Sequence, residues 1–460
     1  MSATKKFAAL VALLMTVVPA TVAQKKAARS KSGVDPQIAQ AIQKVSVDQL
    51  RANDEKLVSF YTRHTLSTSM PAGSGKGIAA AAQWIHSEFE RYSKACGGCL
   101  EVKSDIFTEG PGQRIPNPIQ ITNVYAVLRG TDPAAAKRVV LISGHYDSRA
   151  TEANDAESQA PGANDDASGT IVSLEAARVL SHYKFPATII FLAVAGEEQG
   201  LYGSKHFAKM AKDQGWEIEA VLNNDTVGGD KSPGQEPGKL RVFSEGIPLA
   251  ATPQQIRFIR ATGSENDSIS RQLARYIDEI GRQYFPETKL DPVMIFRPDR
   301  YLRGGDHTSF NEQGFAAVRL TEWQENYDHQ HQNLRTEKGI EYGDLPKFVD
   351  FTYVARVAKL NIATLASLAS APAPPAHVRM LTRDLENDTK LVWDPSPDGK
   401  VDHYEVVYRD TDSPVWTGSR EVGPETSATM QLSKDNVIFG VRAVDSKGHR
   451  SLVVTPVPER

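Results

Sequence analysis

One stretch near the middle of the chain, Thr188 to Gly200 (TIIFLAVAGEEQG), places the strongest constraint on the fold. Its seven consecutive apolar residues, Ile189 to Ala195, are too few to cross a membrane and are typical of a strand buried on both faces. Two adjacent carboxylates, Glu197 and Glu198, follow this run. An isolated Glu-Glu pair is more simply a solvated turn, but acidic residues at the carboxyl end of a parallel strand also lie where α/β folds keep their sites. Its interpretation therefore depends on the rest of the chain.

Two further apolar strands end on residue types that bind metals. The run from Val139 to Gly144 is followed by His145 and, two residues later, by Asp147. A neutral imidazole is a good zinc ligand, and a nearby carboxylate can hold its other nitrogen. The run that begins at Ala220 ends on Asp225 in the same way. These strand ends predict a metal site at one edge of the sheet.

A fourth segment, residues 161–169 (PGANDDASG), places Asp165 and Asp166 directly before a helical pattern. Negative charge is favoured at that position by the helix dipole. A later ligand is expected within Glu322 to Asn333 (EWQENYDHQHQN), where His329 and His331 stand out in a chain with eleven histidines.

The order and spacing of these segments resemble the M28 family of zinc aminopeptidases, over roughly residues 45–368. The resemblance implies two zinc ions per chain and hydrolysis of N-terminal residues from peptide substrates, through a zinc-bridging hydroxide. It also implies a cis peptide bond between Asp165 and Asp166. The implied roles are a bridging Asp165, His145 and Asp225 on one zinc, Glu198 and a late histidine on the other, Glu197 as general base, and Asp147 orienting His145.

The late histidine motif departs from the family pattern, Tyr-His-Thr-Pro-x-Asp. Here the stretch from Tyr327 to Asn333 reads YDHQHQN. Aligning the family's trailing Asp with Asn333 makes His329 the ligand, and we take His329 as the prediction. A shift of two residues would make it His331, which stays as the alternate. Tyr327 is the nearest candidate for the family's oxyanion-stabilising tyrosine.

Strand and helix patterns alternate through most of the chain. Strands are predicted at 100–107, 122–129 and 139–144, and helices at 78–94, 265–286 and 346–368. Near-continuous apolar strands alternating with helices predict an α/β fold with a mostly parallel mixed sheet flanked by helices, as in zinc exopeptidases. Composition then shifts: residues 369–376 (ASAPAPPA) are proline-rich, and the segment beyond alternates like an all-β sandwich and resembles a fibronectin type III domain. A spacer role for that domain is expected.

The first residues have the features of a secretory signal. Lys5 and Lys6 precede an apolar run, Phe7 to Val18, and Thr21-Val22-Ala23 is a small-residue cleavage site. A retained membrane anchor is the alternative. Export to the periplasm or the medium is therefore expected, with no membrane span after signal removal. The predicted domains are a signal peptide (1–23), a peptidase domain (24–370), a linker (371–376) and a β domain (377–460).

The net charge also limits the classes of partner. Without residues 1–23, 51 basic residues face 56 acidic ones, so the mature net charge is −5. A mildly acidic chain without a basic patch is not an obvious nucleic-acid binder. Oligomeric state is not predicted.

Cys96 and Cys99 are the chain's two cysteines, in the sequence Cys-Gly-Gly-Cys. Redox chemistry and a zinc site are alternatives, but a disulfide closing a tight turn fits an exported chain better. Two hypotheses compete with the peptidase: a single-zinc acyltransferase like glutaminyl cyclase on the same fold, and a binding protein that has lost the site.

Overall fold

An eight-stranded mixed sheet forms the centre of the fold in the computed structural model, which describes residues 33–70, 73–286, 290–384 and 386–460. The strands are β1 (Leu100–Glu109), β2 (Ile119–Leu128), β3 (Arg138–His145), β4 (Thr188–Val194), β5 (Glu217–Asn224), β6 (Lys239–Ser244), β7 (Asp291–Ile295) and β8 (Ala317–Glu322). They lie in the order β1-β2-β4-β3-β5-β8-β6-β7. The four central strands, β4, β3, β5 and β8, are parallel neighbours. The predicted α/β class and mixed sheet are confirmed.

Helices cover both faces of this sheet. They are α1 (Pro36–Gln43), α2 (Val47–Val58), α3 (Ile78–Ala95), α4 (Ser168–Leu180), α5 (Tyr202–Asp213), α6 (Pro253–Thr262), α7 (Ile269–Tyr284), α8 (Asp306–Glu312) and α9 (Phe351–Ser370). Side chains of β4 alternate between two cores: Ile189 and Phe191 join the core beneath α4 and α9, whereas Ile190 and Leu192 join the core beneath α5 and α8. Burial on both faces explains why β4 is apolar at every position.

The register of the parallel strands brings their carboxyl ends together. His145 at the end of β3 lies beside Val194 of β4, three residues before Glu197. Asn224, which precedes Asp225, lies at the end of β5 beside Leu320 of β8. The strand ends that the sequence predicts as ligand positions therefore share one edge of the sheet.

The long closing helix starts later than its pattern predicts. The Asp350 carboxylate accepts hydrogen bonds from the backbone N–H groups of Thr352 and Tyr353, at 2.9 and 3.2 Å, and so caps a helix that begins at Phe351. The predicted start at Pro346 is wrong because Pro346–Phe348 forms a separate 3₁₀ turn. Side-chain capping, rather than apolar spacing, sets this boundary.

Cys96 and Cys99 form a disulfide, as predicted, between the end of α3 and the start of β1. The predicted signal segment, residues 1–23, lies outside the described residues. Among the helices of the described part, none combines the length and the apolar character that a membrane crossing requires.

The C-terminal segment consists of two small sheets. Its strands are β11 (Ala376–Leu381), β12 (Thr389–Asp394), β13 (His403–Asp410), β14 (Gly418–Glu421), β15 (Ser427–Met430), β16 (Val437–Val444) and β17 (Val457–Glu459), and a hairpin of β9 (Arg335–Glu337) and β10 (Ile340–Tyr342) precedes α9. The sheets have the orders β15-β12-β11-β17 and β14-β13-β16, and Trp393, Tyr404 and Phe439 lie in the core between them. The likeness to fibronectin type III and the exact domain boundaries stay predictions.

Buried ion pairs join this β segment to the α/β part. Asp267, whose side chain is 4% exposed, lies 2.7 Å from Arg409 of β13 and 3.5 Å from Arg275 of α7. Arg442 of β16 lies 2.6 Å from Glu279 of α7. Such pairs are weak as net stabilisers, but removing one partner leaves a buried charge without compensation.

We therefore expect Asp267→Asn to lower the free energy of unfolding by about 3–5 kcal/mol, because two buried guanidinium groups lose their shared carboxylate. Urea unfolding followed by tryptophan fluorescence measures this. Asp410→Asn is the control, since Asp410 is an exposed residue next to Arg409 and a surface change there should stay within about 0.5 kcal/mol. Equal stability of Asp267→Asn and the wild type would contradict the expectation.

Candidate metal centre

His145 is held in a fixed orientation at the end of β3. Its Nδ1 atom lies 3.1 Å from the backbone oxygen of Asp147 and 3.4 Å from the Asp147 carboxylate. Asp147 is itself fixed, because its carboxylate accepts hydrogen bonds from the Thr65 hydroxyl at 2.9 Å and the Glu198 N–H at 3.2 Å. Nε2 of His145 therefore points away from Asp147 and lies 3.2 Å from Asp165. This geometry supports the predicted orienting role of Asp147.

Five side chains form two groups of donor atoms that share Asp165. One group contains His145, Asp165 and Asp225, and the other contains Asp165, Glu198 and His331. Within each group the donor atoms lie within 4.8 Å of one another. The sharing of one carboxylate by two groups is the arrangement that a pair of neighbouring cations would need.

His331, the alternate ligand, lies in this cluster, and His329 does not. The Nε2 atom of His331 is 2.8 Å from Asp165 and 2.8 Å from Glu198. His329 instead bonds Asp230 at 2.5 Å and stacks on Phe348. The cluster therefore contains the alternate candidate, His331, and the predicted His329 lies outside it. Alignment of Asn333 with the family's trailing Asp takes no account of the left-handed backbone at His331, whose φ is 56°.

Tyr327 also lies away from the cluster. Tyr327 is 57% exposed, and its hydroxyl accepts a hydrogen bond from Arg303 at 2.8 Å. Among the described residues that line the cavity above the cluster, Tyr327 does not occur. The structure gives it no contact with the cluster that would support an oxyanion role.

Glu197 lines the cavity without joining either donor group. Burial raises the pKa of its carboxyl well above the usual range; the charge of His145 opposes this effect, and the charges of Glu198 and Asp225 add to it. A carboxyl with a raised pKa and no ligand contact is suited to carry a proton.

The imidazole of His331 shows how strongly negative the cluster is. Burial alone would lower its pKa, but the carboxylates of Glu198 and Asp165 raise it to about 10. A divalent cation would compete with the proton for the same electrons, so cation binding would release a proton from this cluster.

Asp166 binds backbone rather than the cluster. Its carboxylate accepts N–H bonds from His145 at 3.0 Å, Gly169 at 2.9 Å and Thr226 at 3.1 Å, and so ties β3, α4 and the end of β5 together. The start of α4 and the end of β5 lie so close together that a Cβ atom on Gly169 would overlap the backbone oxygen of Asn224. The peptide bond between Asp165 and Asp166 is cis, which confirms the prediction.

Two positioning residues carry no signal in the sequence. The Asp344 carboxylate accepts the backbone N–H groups of Asn164 at 2.8 Å and Asp165 at 2.7 Å. Arg319 of β8 is fully buried and donates to Asp225 at 2.9 Å. Each lies far along the chain from its partner and belongs to no recognisable motif, so only the folded arrangement reveals its role.

A cavity of about 440 Å³ opens above the donor groups. This volume is within the usual range for small-ligand sites. Besides the cluster and Glu197, its lining includes five cationic side chains: Arg114, Arg149, Lys205, Arg300 and Arg303.

A mixed α/β sheet with buried carboxylate and imidazole ligands at its parallel strand ends defines a metal-dependent hydrolase class of site. Comparison with known proteins agrees. The sequence pattern of peptidase family M28 matches residues 123–349. A relative from Pyrenophora teres f. teres, described as a probable zinc metalloprotease, is 44% identical over 429 residues, which cover 92% of this chain and 87% of the relative. The chain belongs to peptidase family M28.

Two further matches agree in length or fold. A probable zinc metalloprotease from Leptosphaeria maculans is 44% identical over 427 residues, covering 92% of this chain and 97% of the relative. The crystal structure of the Legionella pneumophila LapA aminopeptidase aligns with a TM-score of 0.51 and 22% identity, over 73% of this chain and 75% of that one. The structural likeness shows a shared fold.

Asp344 provides a test of how the cluster is positioned. We expect Asp344→Asn to weaken divalent-cation affinity by about 10–100-fold, because the amide would hold the backbone of Asp165 less well. Competition with a chromophoric chelator measures the affinity, and circular dichroism checks folding. Asp328→Asn is the control, since Asp328 is exposed on a neighbouring loop. Unchanged affinity in Asp344→Asn would show that Asp165 is positioned by other contacts.

Proposed function

We propose that this protein is a two-zinc aminopeptidase. The single observation that carries the proposal is the pair of donor groups sharing Asp165. In this assignment His145 and Asp225 would hold one ion, Glu198 and His331 would hold the other, and Asp165 would be shared between the two. The descriptions of the relatives as probable zinc metalloproteases support zinc as the metal.

The donor set fits zinc. Nitrogen and carboxylate oxygen donors are its usual ligands in catalytic sites, and ligating histidines usually hold a carboxylate through their other ring nitrogen. His145 has such a partner in Asp147. Two zinc ions, when bound, would polarise the scissile carbonyl and lower the pKa of the attacking water.

The remaining steps belong to side chains of this chain. Glu197 accepts a proton from the attacking water and donates it to the amine that leaves when the peptide bond breaks. Asp147 keeps His145 in one orientation, and Asp166 fixes the backbone at three ligand-bearing segments. Two complete donor groups favour this reading over a single-zinc acyltransferase, which needs only one.

Two features outside the site support a proposal about where the protein acts. An exported enzyme that removes residues from peptides agrees with the predicted signal segment and with the Cys96–Cys99 disulfide, since disulfides persist in oxidising compartments. We therefore propose that the enzyme is exported and acts on peptides outside the cytosol.

The late histidine can be assigned by metal content. We expect His331→Ala to retain about one zinc per chain and to lose nearly all hydrolysis of leucyl anilide, because His331 contacts both Asp165 and Glu198. His329→Ala should retain about two, since His329 contacts Asp230 instead. Metal analysis of dialysed protein measures both, and the reverse pattern would return the ligand role to His329.

The roles of the adjacent residues Glu197 and Glu198 can be distinguished by substituting each with Gln. Glu197→Gln should keep its zinc and lose about 10²–10⁴-fold in kcat, because a positioned general base is removed without loss of a ligand. KM should change much less, since the lost interaction acts in the transition state. Glu198→Gln should lose zinc and depend on added zinc for activity. If Glu197→Gln lost zinc and Glu198→Gln kept it, the two roles would have to be exchanged. Wild-type protein that bound no zinc or hydrolysed no peptide would refute the proposed function.

A further inference from the structure

The cavity has more positive charge at its rim than the metal site requires. We define the cationic rim as Arg114, Arg149, Lys205 and Arg303, which all line the cavity. The fifth cationic residue, Arg300, is excluded because it is paired with Asp299 and Glu325.

The side chains of the cationic rim donate hydrogen bonds to uncharged oxygen atoms. Arg114 donates to the backbone oxygen of Glu198 at 2.8 Å, Arg149 to that of Thr151 at 2.9 Å, and Lys205 to that of Gly200 at 3.0 Å. Throughout the described ranges, no carboxylate lies within 4.0 Å of these three cations. Arg303 has a hydroxyl partner in Tyr327, and the nearest carboxylate, of Glu325, is 4.0 Å away.

The carboxylates inside the cavity do not balance this rim. Four of them line it, those of Asp165, Glu197, Glu198 and Asp225. Two zinc ions, when bound, would carry four positive charges, which these four carboxylates at most balance. The rim charges are then left without an anion among the described lining residues, and clefts lined by one sign of charge concentrate ligands of the opposite sign.

We infer that the cationic rim binds a carboxylate of the substrate, so that the preferred substrates are short peptides carrying a negative charge close to the scissile bond. This rests on the proposed function and deepens it. Guanidinium groups suit a carboxylate because they donate two parallel hydrogen bonds to it. The carboxylate has two possible sources, an acidic side chain or the free α-carboxylate of a very short peptide.

Three matched substrate pairs separate these sources. Glutamyl and glutaminyl anilide test an acidic first residue, Leu-Glu-amide and Leu-Gln-amide test an acidic second residue, and Leu-Ala and Leu-Ala-amide test the α-carboxylate. The measured quantity is the ratio of kcat/KM for the charged and the neutral member of each pair. We expect at least one ratio of about 10 or more at low salt, falling as ionic strength rises.

Rim variants test whether these residues cause the preference. Lys205→Ala, Arg303→Gln and Arg149→Gln should each reduce the favoured ratio by about threefold to tenfold, the range expected for partly exposed charge pairs. Lys209→Ala is the matched control, because Lys209 lies one turn further along α5, pairs with Asp213 and is not among the cavity-lining residues. Its ratio should equal that of the wild type.

A binding measurement adds a readout apart from turnover. Calorimetric titration of Glu197→Gln with the favoured charged peptide should give a dissociation constant several-fold lower than with its neutral partner, and Lys205→Ala in that background should remove the difference. Thermal unfolding confirms that each variant is folded.

The outcomes are distinguishable. Failure to hydrolyse any substrate would overturn the proposed function together with this inference. Hydrolysis with all three ratios near one, or a favoured ratio that the rim variants leave unchanged, would overturn the inference alone.

Discussion

Mutual repulsion among buried carboxylates is the constraint on which this structure depends. Asp165, Glu198 and Asp225 converge at the parallel strand ends, and each is 5% exposed or less. Burying like charges together is costly unless cations or hydrogen-bond donors compensate. The chain supplies part of this compensation: Arg319 donates to Asp225, and His331 lies between Asp165 and Glu198. The remaining negative charge favours divalent cations, so the electrostatic cost of the site is also the source of its affinity.

Backbone groups supply the rest of the support. The carboxylates of Asp166 and Asp344 belong to neither group of candidate metal ligands. They accept hydrogen bonds from backbone N–H groups of His145 and Asp165, which do belong to those groups. A buried carboxylate is tolerated in such a role because several N–H donors satisfy it. The fold therefore uses buried acids for two purposes, and the hydrogen-bond partners decide which acid faces the donor cluster and which faces the backbone.

The C-terminal β segment is joined to the α/β part by ion pairs. Asp267 bridges Arg275 and Arg409 with almost no solvent contact, and Arg442 connects β16 to α7. These pairs hold the β segment against α7, the helix that packs next to β6 and β7. β6 in turn pairs with β8, the strand that holds Arg319.

The sequence by itself determined the sheet and most of the cluster. Apolar runs without alternation require strands buried on both faces, and parallel strands of that kind place the residues after them, His145, Glu198 and Asp225, at one edge. Only the tertiary structure showed that His331 lies in the donor cluster and His329 does not, because each ring contacts residues far away in the sequence. It alone also revealed Asp344, Arg319 and the cationic rim. Asp344 and Arg319 contact partners 94 to 180 positions away in the sequence, and the rim residues come from α5 and from separate loops. No local pattern encodes a contact that folding creates between distant segments.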